Sequence, residues 1–344
     1  MRKLISTTLA CILVAITMSC GKGIGNGNSD KNLDTLSYIV GMNIANQIEK
    51  GIMPQFKADY DVIVETLESG LNGQKEFTVE GVTINKEAFR ELGMKYFGPE
   101  LREKVEAAMA DTTGMTEVFN DPAEKKIAST LLGADIAFSL ENVPYEIVEE
   151  KLMQAINDIH KNKPALTDEE ANAFMENYFT VVIPAQNEKL SKEWLAEIEK
   201  ESGVEKTESG LLYKIVDEGD IRTKAINDTD VVKVLYTGKT REGKVFDSNR
   251  WAEMPQQRQE MIKAYQPDEA EKDNPIEFPL NGVIKGWTEG MKLVGKGGKI
   301  ILWIPGDLAY GKRGAGQDIG PNEALCFDVE LLDVRVAEQD SIGE

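Results

Sequence analysis

Apolar residues in the first half of the chain recur at steps of three and four positions. The first series consists of Leu36, Ile39, Val40, Ile44 and Ile48. A second series runs through residues 60–71, and a third, more highly charged pattern spans residues 85–109 after a loop through Gly81. Because this spacing places apolar side chains on one face of a helix, we predict three consecutive helices, the first two amphipathic.

The helical pattern then starts again. Residues 129–137 (STLLGADIA) align with residues 37–45 (SYIVGMNIA) at an offset of 92, with serine, glycine, isoleucine and alanine identical. The following helix repeats Leu67 and Leu71 as Leu152 and Ile156 at an offset of 85. These matches predict a degenerate tandem repeat of helical units. A chance resemblance between short apolar helices is the alternative.

Local signals predict where later helices begin and bend. Asp121 followed by Pro122 is typical of an N-cap and a first helical residue. Thr167 with Glu170 three residues later forms a capping box, and Pro184 is predicted to kink or break the helix that continues to about residue 201. The chain's single histidine, His160, is predicted to be a surface or helix-end residue.

Beyond residue 203 the apolar period changes from that of a helix to that of a strand. The alternating positions are Leu211, Tyr213 and Ile215 in one segment and Val232, Val234 and Tyr236 in another. Short apolar runs separated by glycine and proline turns follow to the end of the chain. This pattern predicts a compact domain rich in β-strands.

The amino terminus has the pattern of an export signal. Three residues that include Arg2 and Lys3 precede an apolar stretch over residues 4–18, and Ser19 precedes Cys20. The stretch is too short to span a bilayer and resembles a bacterial lipoprotein signal, which predicts that Cys20 carries lipid as the first mature residue. Secretion with cleavage elsewhere is the alternative. The glycine-rich residues that follow predict a flexible tether.

Composition excludes several classes of function. The 344-residue chain is long enough for two or three domains, and its net charge of −20 disfavours nucleic acid as a partner. A single histidine leaves few ways to build a Ser-His-Asp triad or a multi-histidine metal site, and two of the three cysteines lie in the export segment. We therefore expect no metal, no cofactor and no internal disulfide.

Five blocks of the second half resemble the FKBP-type peptidyl-prolyl isomerases and follow one another in that family's order. The blocks are residues 232–238 (VKVLYTG), 246–248 (FDS), 283–290 (VIKGWTEG), 304–311 (IPGDLAYG) and 321–334 (PNEALCFDVELLDV). The resemblance covers about residues 207–336 and implies a twisted antiparallel sheet wrapped over a short helix. The fold class is then α+β, with an all-helical amino-terminal half similar to the dimerisation region of macrophage-infectivity-potentiator lipoproteins.

The resemblance also implies a catalytic site. Trp287 would form the floor of an apolar pocket, and Tyr310 would donate its hydroxyl to the substrate while Asp247 holds polar groups near the reacting carbonyl. The implied walls are Tyr236, Phe246, Phe327 and Val283, with Ile276 at the position of a further wall aromatic. Ile284 would offer its backbone N–H, and Ile319 would lie on the flap above. Each aromatic taken alone would be interpreted as ordinary core, and the context of the five blocks favours the site instead.

This chain departs from the family pattern in two places. Between Ser248 and Ile276 lie 27 residues instead of about ten, which implies an insertion beside the pocket. Within it, Arg250 is the candidate for the basic residue that usually braces the aspartate. On the flap, Asp318 and Gly320 stand where the family commonly has apolar or proline residues.

The predicted organisation has six parts. They are a signal peptide (1–19), a tether (20–33), a first helical unit (34–120), a second helical unit with a connecting helix (121–203), an FKBP-type domain (204–337) and a tail (338–344). The implied function is isomerisation of Xaa-Pro bonds in exported proteins, and an envelope chaperone or scaffold with little isomerase activity is the alternative. We expect a lipid-anchored protein of the cell envelope (periplasm) and a homodimer through the helical half. Pairing of the repeats within one chain is the alternative to the dimer.

Overall fold

A computed structural model describes residues 29–111, 118–119, 121–141, 143, 145–316 and 318–336. The predicted signal peptide, Cys20 and the 338–344 tail lie outside these residues. The described chain divides into two compact units, residues 29–175 and 176–336. Among the described residues, no helix has both the length and the apolar character needed to cross a membrane.

The first unit is helical with one small hairpin. Its helices are α1 (Ser29–Gln47), α2 (Met53–Phe56), α3 (Tyr60–Leu71), α4 (Phe89–Tyr96), α5 (Pro99–Ala110), α6 (Pro122–Leu140) and α7 (Glu149–His160), and the hairpin strands are β1 (Phe77–Val79) and β2 (Val82–Ile84). Helix α8 (Asp168–Asn177) contains the division between the units. The predicted caps are confirmed: Asp121 accepts from Ala123 N at 2.8 Å, and Glu170 N donates to Thr167 Oγ1 at 3.2 Å.

Three sequence expectations for this unit are wrong in detail. Helix α1 begins at Ser29, inside the predicted tether. The third helical pattern is two helices, because Gly98 is extended and Pro99 starts a new one. The β1–β2 hairpin was not predicted, since strands of three residues are too short for alternation to be recognised.

The two copies of the repeat are interlocked rather than side by side. Helix α1 packs against α7, and α3 packs against α6. The side chain of Ser37 accepts a hydrogen bond from Val148 N, just before α7, at 2.9 Å. Its equivalent, Ser129, accepts one from Asp59 N, just before α3, at 2.8 Å. The first helix of each copy therefore pairs with the second helix of the other, and these equivalent contacts favour a true repeat over chance.

The glycines of the repeat correct its register. A Cβ on Gly41 would lie 2.3 Å from Leu152 O, and a Cβ on Gly133 would lie 2.4 Å from Ile63 O. Leu152 is thus the counterpart of Ile63, at an offset of 89 rather than 85. The predicted alignment of the second helices was displaced by four residues, or about one helical turn. Apolar residues spaced four apart match equally well after such a shift.

The second unit contains the predicted sheet. Its elements are α9 (Ile183–Ile198), β3 (Glu205–Lys206), β4 (Leu212–Asp217), β5 (Val231–Thr240), β6 (Val245–Ser248), α10 (Gln256–Tyr265), β7 (Ile276–Pro279), α11 (Lys285–Gly290), β8 (Lys299–Ile304) and β9 (Leu325–Arg335). All pairings are antiparallel, in the order β3-β4-β8-β9-β5-β6, and β7 also pairs with β5. Gly286 and Gly290 let α11 lie directly on β8, since their Cβ atoms would come within 2.6 Å of Ile304 and Leu302.

Helix α9 belongs to the sheet unit, not to the helical one. A π-helical turn, Tyr178–Val182, precedes it, and Pro184 occupies its first turn, where no N–H is needed. Asn187 Nδ2 donates to Pro321 O at 3.0 Å, and Ser191 Oγ accepts from Ala324 N at 2.9 Å. The expected boundary at 203/204 therefore does not match the structure, in which α9 packs on the 321–324 loop.

Candidate active site

Four aromatic rings pack against one another and form an apolar bowl. The ring of Trp287 lies 5.2 Å from that of Tyr236 and 5.3 Å from that of Phe327, both at 89°. Phe246 meets Phe327 edge-on at 5.6 Å. Trp287, Tyr236 and Phe327 are each no more than 7% exposed. These edge-to-face contacts fix the rings against one another.

Strand pairing brings these rings together. Tyr236 on β5 is opposite Val329 on β9, and Gly238 is opposite Phe327. A Cβ on Gly238 would lie 2.6 Å from Phe246 Cζ and 2.8 Å from Phe327 Cε1. The missing side chain at Gly238 therefore makes room for both phenylalanine rings.

A buried asparagine that the sequence analysis missed holds Tyr236 in place. Strand β5 pairs with β7 up to Val234 and with β6 from Thr237 onward. Between these pairings, Asn249 Oδ1 accepts from Tyr236 N at 2.7 Å, and Asn249 Nδ2 donates to Val234 O at 2.9 Å. The asparagine side chain thus satisfies the backbone where no neighbouring strand can. Its position directly after the FDS block was the available signal.

The rim of the bowl carries a carboxylate with a partner at each oxygen. Tyr236 Oη donates to Asp247 Oδ2 at 2.5 Å, and Arg258 Nη1 forms an ion pair with Asp247 Oδ1. The prediction that Arg250 braces Asp247 is wrong, because Arg250 Nη1 pairs with Asp328 Oδ1 at 2.8 Å. Arg258 lies on α10, inside the insertion, so its distance in sequence from Asp247 concealed it.

Two tyrosine hydroxyls at the rim stay protonated at neutral pH and can therefore donate hydrogen bonds. Burial, followed by the hydrogen bond to Asp247, raises the pKa of Tyr236. Burial and the negative charge of Asp247 likewise raise the pKa of Tyr310. The hydroxyl of Tyr310 makes no hydrogen bond to any described residue, and this side chain is 39% exposed. It is therefore available to a bound carbonyl.

Three of the remaining implied residues, Val283, Ile284 and Ile319, pack in or against the core that contains the bowl. Ile284 lies just before α11, and its N–H has no partner within the described chain. Val283 is half-buried against the core, and Ile319 is 4% exposed in a turn that pairs with Ala315. Ile276 lies half-buried on β7 opposite Val234.

Phe278, two residues after Ile276, supplies a further aromatic that the sequence analysis missed. Its ring lies 6.0 Å from that of Trp287 and 6.4 Å from that of Tyr236. Because side chains alternate along a strand, Ile276 and Phe278 share the inner face of β7.

In the part of the chain that the structure describes, no group of three or more His, Cys, Asp or Glu side chains could hold a metal ion.

Comparison with known proteins agrees with this architecture. The family model for FKBP-type peptidyl-prolyl cis-trans isomerase matches residues 222–332, and the model for the domain amino-terminal to it matches residues 125–215. A probable FKBP-type peptidyl-prolyl cis-trans isomerase of Haemophilus influenzae is 35% identical over 63% of this chain and 86% of its own length. FkpA of Escherichia coli K12 is 34% identical over 60% of this chain and 74% of its own.

One further relative and one solved structure are similar over most of their length. Outer membrane protein MIP of Legionella longbeachae is 28% identical over 67% of this chain and 94% of its own length. The crystal structure of Escherichia coli FkpA is 33% identical, with a TM-score of 0.44 over 64% of this chain and all of that one.

The chain belongs to the FKBP-type peptidyl-prolyl cis-trans isomerase family. It is a peptidyl-prolyl isomerase, with the FkpA and MIP proteins among its relatives.

Proposed function

We propose that this bowl isomerises Xaa-Pro bonds of exported proteins and so assists their folding. The observation that carries the proposal is an apolar aromatic cluster beside Tyr310 and Ile284, whose hydroxyl and backbone N–H make no hydrogen bond to the described residues. Rotation about a prolyl bond has a barrier of about 18–20 kcal/mol, because amide resonance is lost at the twisted midpoint. The twisted amide is less charge-separated than the planar one, so a dry apolar site favours it.

Each residue has a distinct part in this proposal. The proline ring packs on Trp287 between the walls formed by Tyr236, Phe246 and Phe327. Ile284 N–H and Tyr310 Oη donate to substrate carbonyls. Asp247 orients Tyr236 and Arg258 rather than binding the substrate, since both of its oxygens already have partners.

A protease-coupled assay on a proline tetrapeptide tests the proposal. The fragment should start at residue 176, because α9 packs with the isomerase domain. We expect Tyr310→Phe to lower kcat/KM about tenfold with little change in thermal stability, as for a group that acts on the substrate. A folded fragment with only the uncatalysed rate would favour the rival function, a chaperone without isomerase activity.

We also propose that the chain is a monomer in which the tandem repeat replaces the expected homodimer. The family's amino-terminal domain matches from residue 125, so it includes α6 and α7 but not α1 and α3. Helices α1 and α3 cover the faces of α7 and α6 within the same chain. Among the described residues of this unit, the exposed large apolar side chains are Met94 and Met109, on α4 and α5.

Sedimentation from about 1 to 100 μM tests this proposal on the mature protein without lipid. We expect a monomer mass throughout and a melting temperature that does not depend on protein concentration. A dimer mass, or a melting temperature that rises with concentration, would restore the homodimer.

Membrane attachment is a third proposal and rests on the sequence before residue 29. Residues 4–20 resemble a lipoprotein signal, and a relative is described as an outer membrane protein. We expect Cys20→Ser to move the protein from the membrane fraction to the soluble fraction while export continues. Fatty-acid labelling that persists in the Ser variant would contradict attachment at Cys20.

A further inference from the structure

The insertion between β6 and β7 places a helix at the rim of the bowl. Helix α10 reaches Asp247 through Arg258. The next residue ties the helix to the segment that precedes it, since Gln259 Nε2 donates to Trp251 O at 2.8 Å and to Met254 O at 3.1 Å. The start of the helix is therefore held beside the catalytic residues.

Two large apolar side chains on α10 are left in solvent. Met261 is 57% exposed and Tyr265 is 81% exposed. They lie three and seven residues after Arg258, positions that share one side of a helix. The side of α10 that begins at the rim with Arg258 thus continues outward as an exposed apolar strip, formed by Met261 and Tyr265.

We propose that this apolar strip binds the segment of an unfolded client next to its isomerised proline, and selects bulky apolar residues there. The inference rests on the proposed isomerase function. The chain of a client held in the bowl continues across its rim, and Arg258 and the strip begin at that rim. Tyr265 lies about 10 Å along the helix from Arg258 at 1.5 Å per residue, which is about three residues of extended chain. The occupant is therefore an extended polypeptide with a large apolar side chain two to four positions from the proline.

Designed peptides test the strip. Each is alanine-rich with one proline and carries Phe or Ser three positions before or after it, and NMR exchange measures isomerisation. For one of the two placements, we expect the Phe peptide to be turned over about three- to tenfold faster than its Ser counterpart. The double substitution Met261→Ser with Tyr265→Ser should abolish this preference.

A matched control removes equally exposed apolar groups elsewhere in the same unit. Val216 is 60% exposed and Ile226 is 71% exposed, and neither contacts the bowl. Val216→Ser with Ile226→Ser should keep the preference for Phe. A wild-type protein that does not distinguish Phe from Ser peptides, or a strip variant that still does, would overturn the proposal.

Binding separates this proposal from the isomerase function itself. If no peptide is isomerised, the proposed function fails, and fluorescence anisotropy of the same labelled peptides still tests the strip. Tighter binding of the Phe peptide that is lost in the strip variant would support it. Equal binding of both peptides would contradict it.

Discussion

Single side chains at the rim connect the insertion to the proposed catalytic site. The carboxylate of Asp247 has Tyr236 at one oxygen and Arg258 at the other. Charge-assisted pairs of this kind fix geometry more firmly than neutral hydrogen bonds do. The orientation of Asp247 therefore depends on a helix that begins nine residues further along the chain.

We predict that Arg258→Ala lowers kcat/KM on a tetrapeptide by roughly three- to thirtyfold, because Asp247 loses its ionic partner. Arg258→Lys should restore part of the loss, since it keeps the charge without the planar guanidinium. The control is Arg250→Ala, which removes the arginine that pairs with Asp328 instead. Equal losses in the two alanine variants would contradict a specific role for Arg258.

Asp135 on α6 is a residue whose burial has a consequence for stability. It lies in a cleft of about 260 Å³ with Lys86, Phe89, Phe138 and Ser139, and its Oδ2 has no hydrogen-bond partner among the described residues. Burial raises the pKa of Asp135 to about 7. The charged carboxylate is thus disfavoured in the folded helical unit.

The sign of the pH effect follows from this raised pKa. The folded protein holds the proton more tightly than the unfolded chain, whose Asp pKa is about 3.9. Stability from Asp135 is therefore fully present below about pH 4 and is lost as pH rises through about 7. We expect Asp135→Asn to stabilise the helical unit at pH 8, by up to about 4 kcal/mol, and much less at pH 4. Urea unfolding at both pH values measures this, and an equal effect at both would contradict it.

At the scale of elements, the repeat depends on close helix crossings. Gly41 approaches Leu152 O and Gly133 approaches Ile63 O, so neither position has room for a side chain. Both crossings join one copy to the other. A side chain added at either of these two glycines should therefore disrupt the interlocked arrangement more than one added at a surface glycine.

We predict that Gly133→Ala destabilises the helical unit by about 1–3 kcal/mol, because the added methyl group meets backbone atoms that cannot move aside. The control is Gly93→Ala on α4, where a Cβ meets nothing within 4 Å. That change should stabilise the unit slightly, since alanine favours a helix more than glycine does. Thermal unfolding compares the two variants, and similar midpoints would show that α3 and α6 do not cross closely.

At the scale of the whole molecule, the division of the chain at residue 175 differs from the one that the change in apolar period predicts at residue 203. Asn187 and Ser191 bind the 321–324 loop, which joins the flap at Ile319 to β9. Helix α9, which the sequence predicted to be a connecting helix, is therefore part of the isomerase unit.

We expect a fragment beginning at residue 203 to melt at least about 5 °C below one beginning at 176, because the loop loses its partners on α9. Its kcat/KM should also fall, since the same loop positions Ile319 and Phe327. Calorimetry and the tetrapeptide assay on both fragments measure the two effects. Identical melting temperatures and rates would show that α9 adds nothing to the catalytic unit.

Local sequence determined the elements and most of the bowl. The three- and four-residue period gave α1, α3 and α6, and alternation gave β4 and β5, because both signals depend on neighbours along the chain. Caps at Asp121 and Thr167 were equally local. The blocks around Tyr236, Asp247 and Trp287 indicated the family because their order carries information that single residues lack.

Tertiary structure alone decided which residues meet across long separations. The choice of Arg258 over Arg250, the support of Tyr236 by Asn249 and the contact of Phe278 with Trp287 depend on how the chain returns to the sheet. The pairing of each helix with a helix of the other repeat also depends on tertiary structure. An apolar stripe predicts that a helix face is buried, but it does not predict which helix covers it. Sequence determined what each segment must bury, and only packing determined against what it is buried.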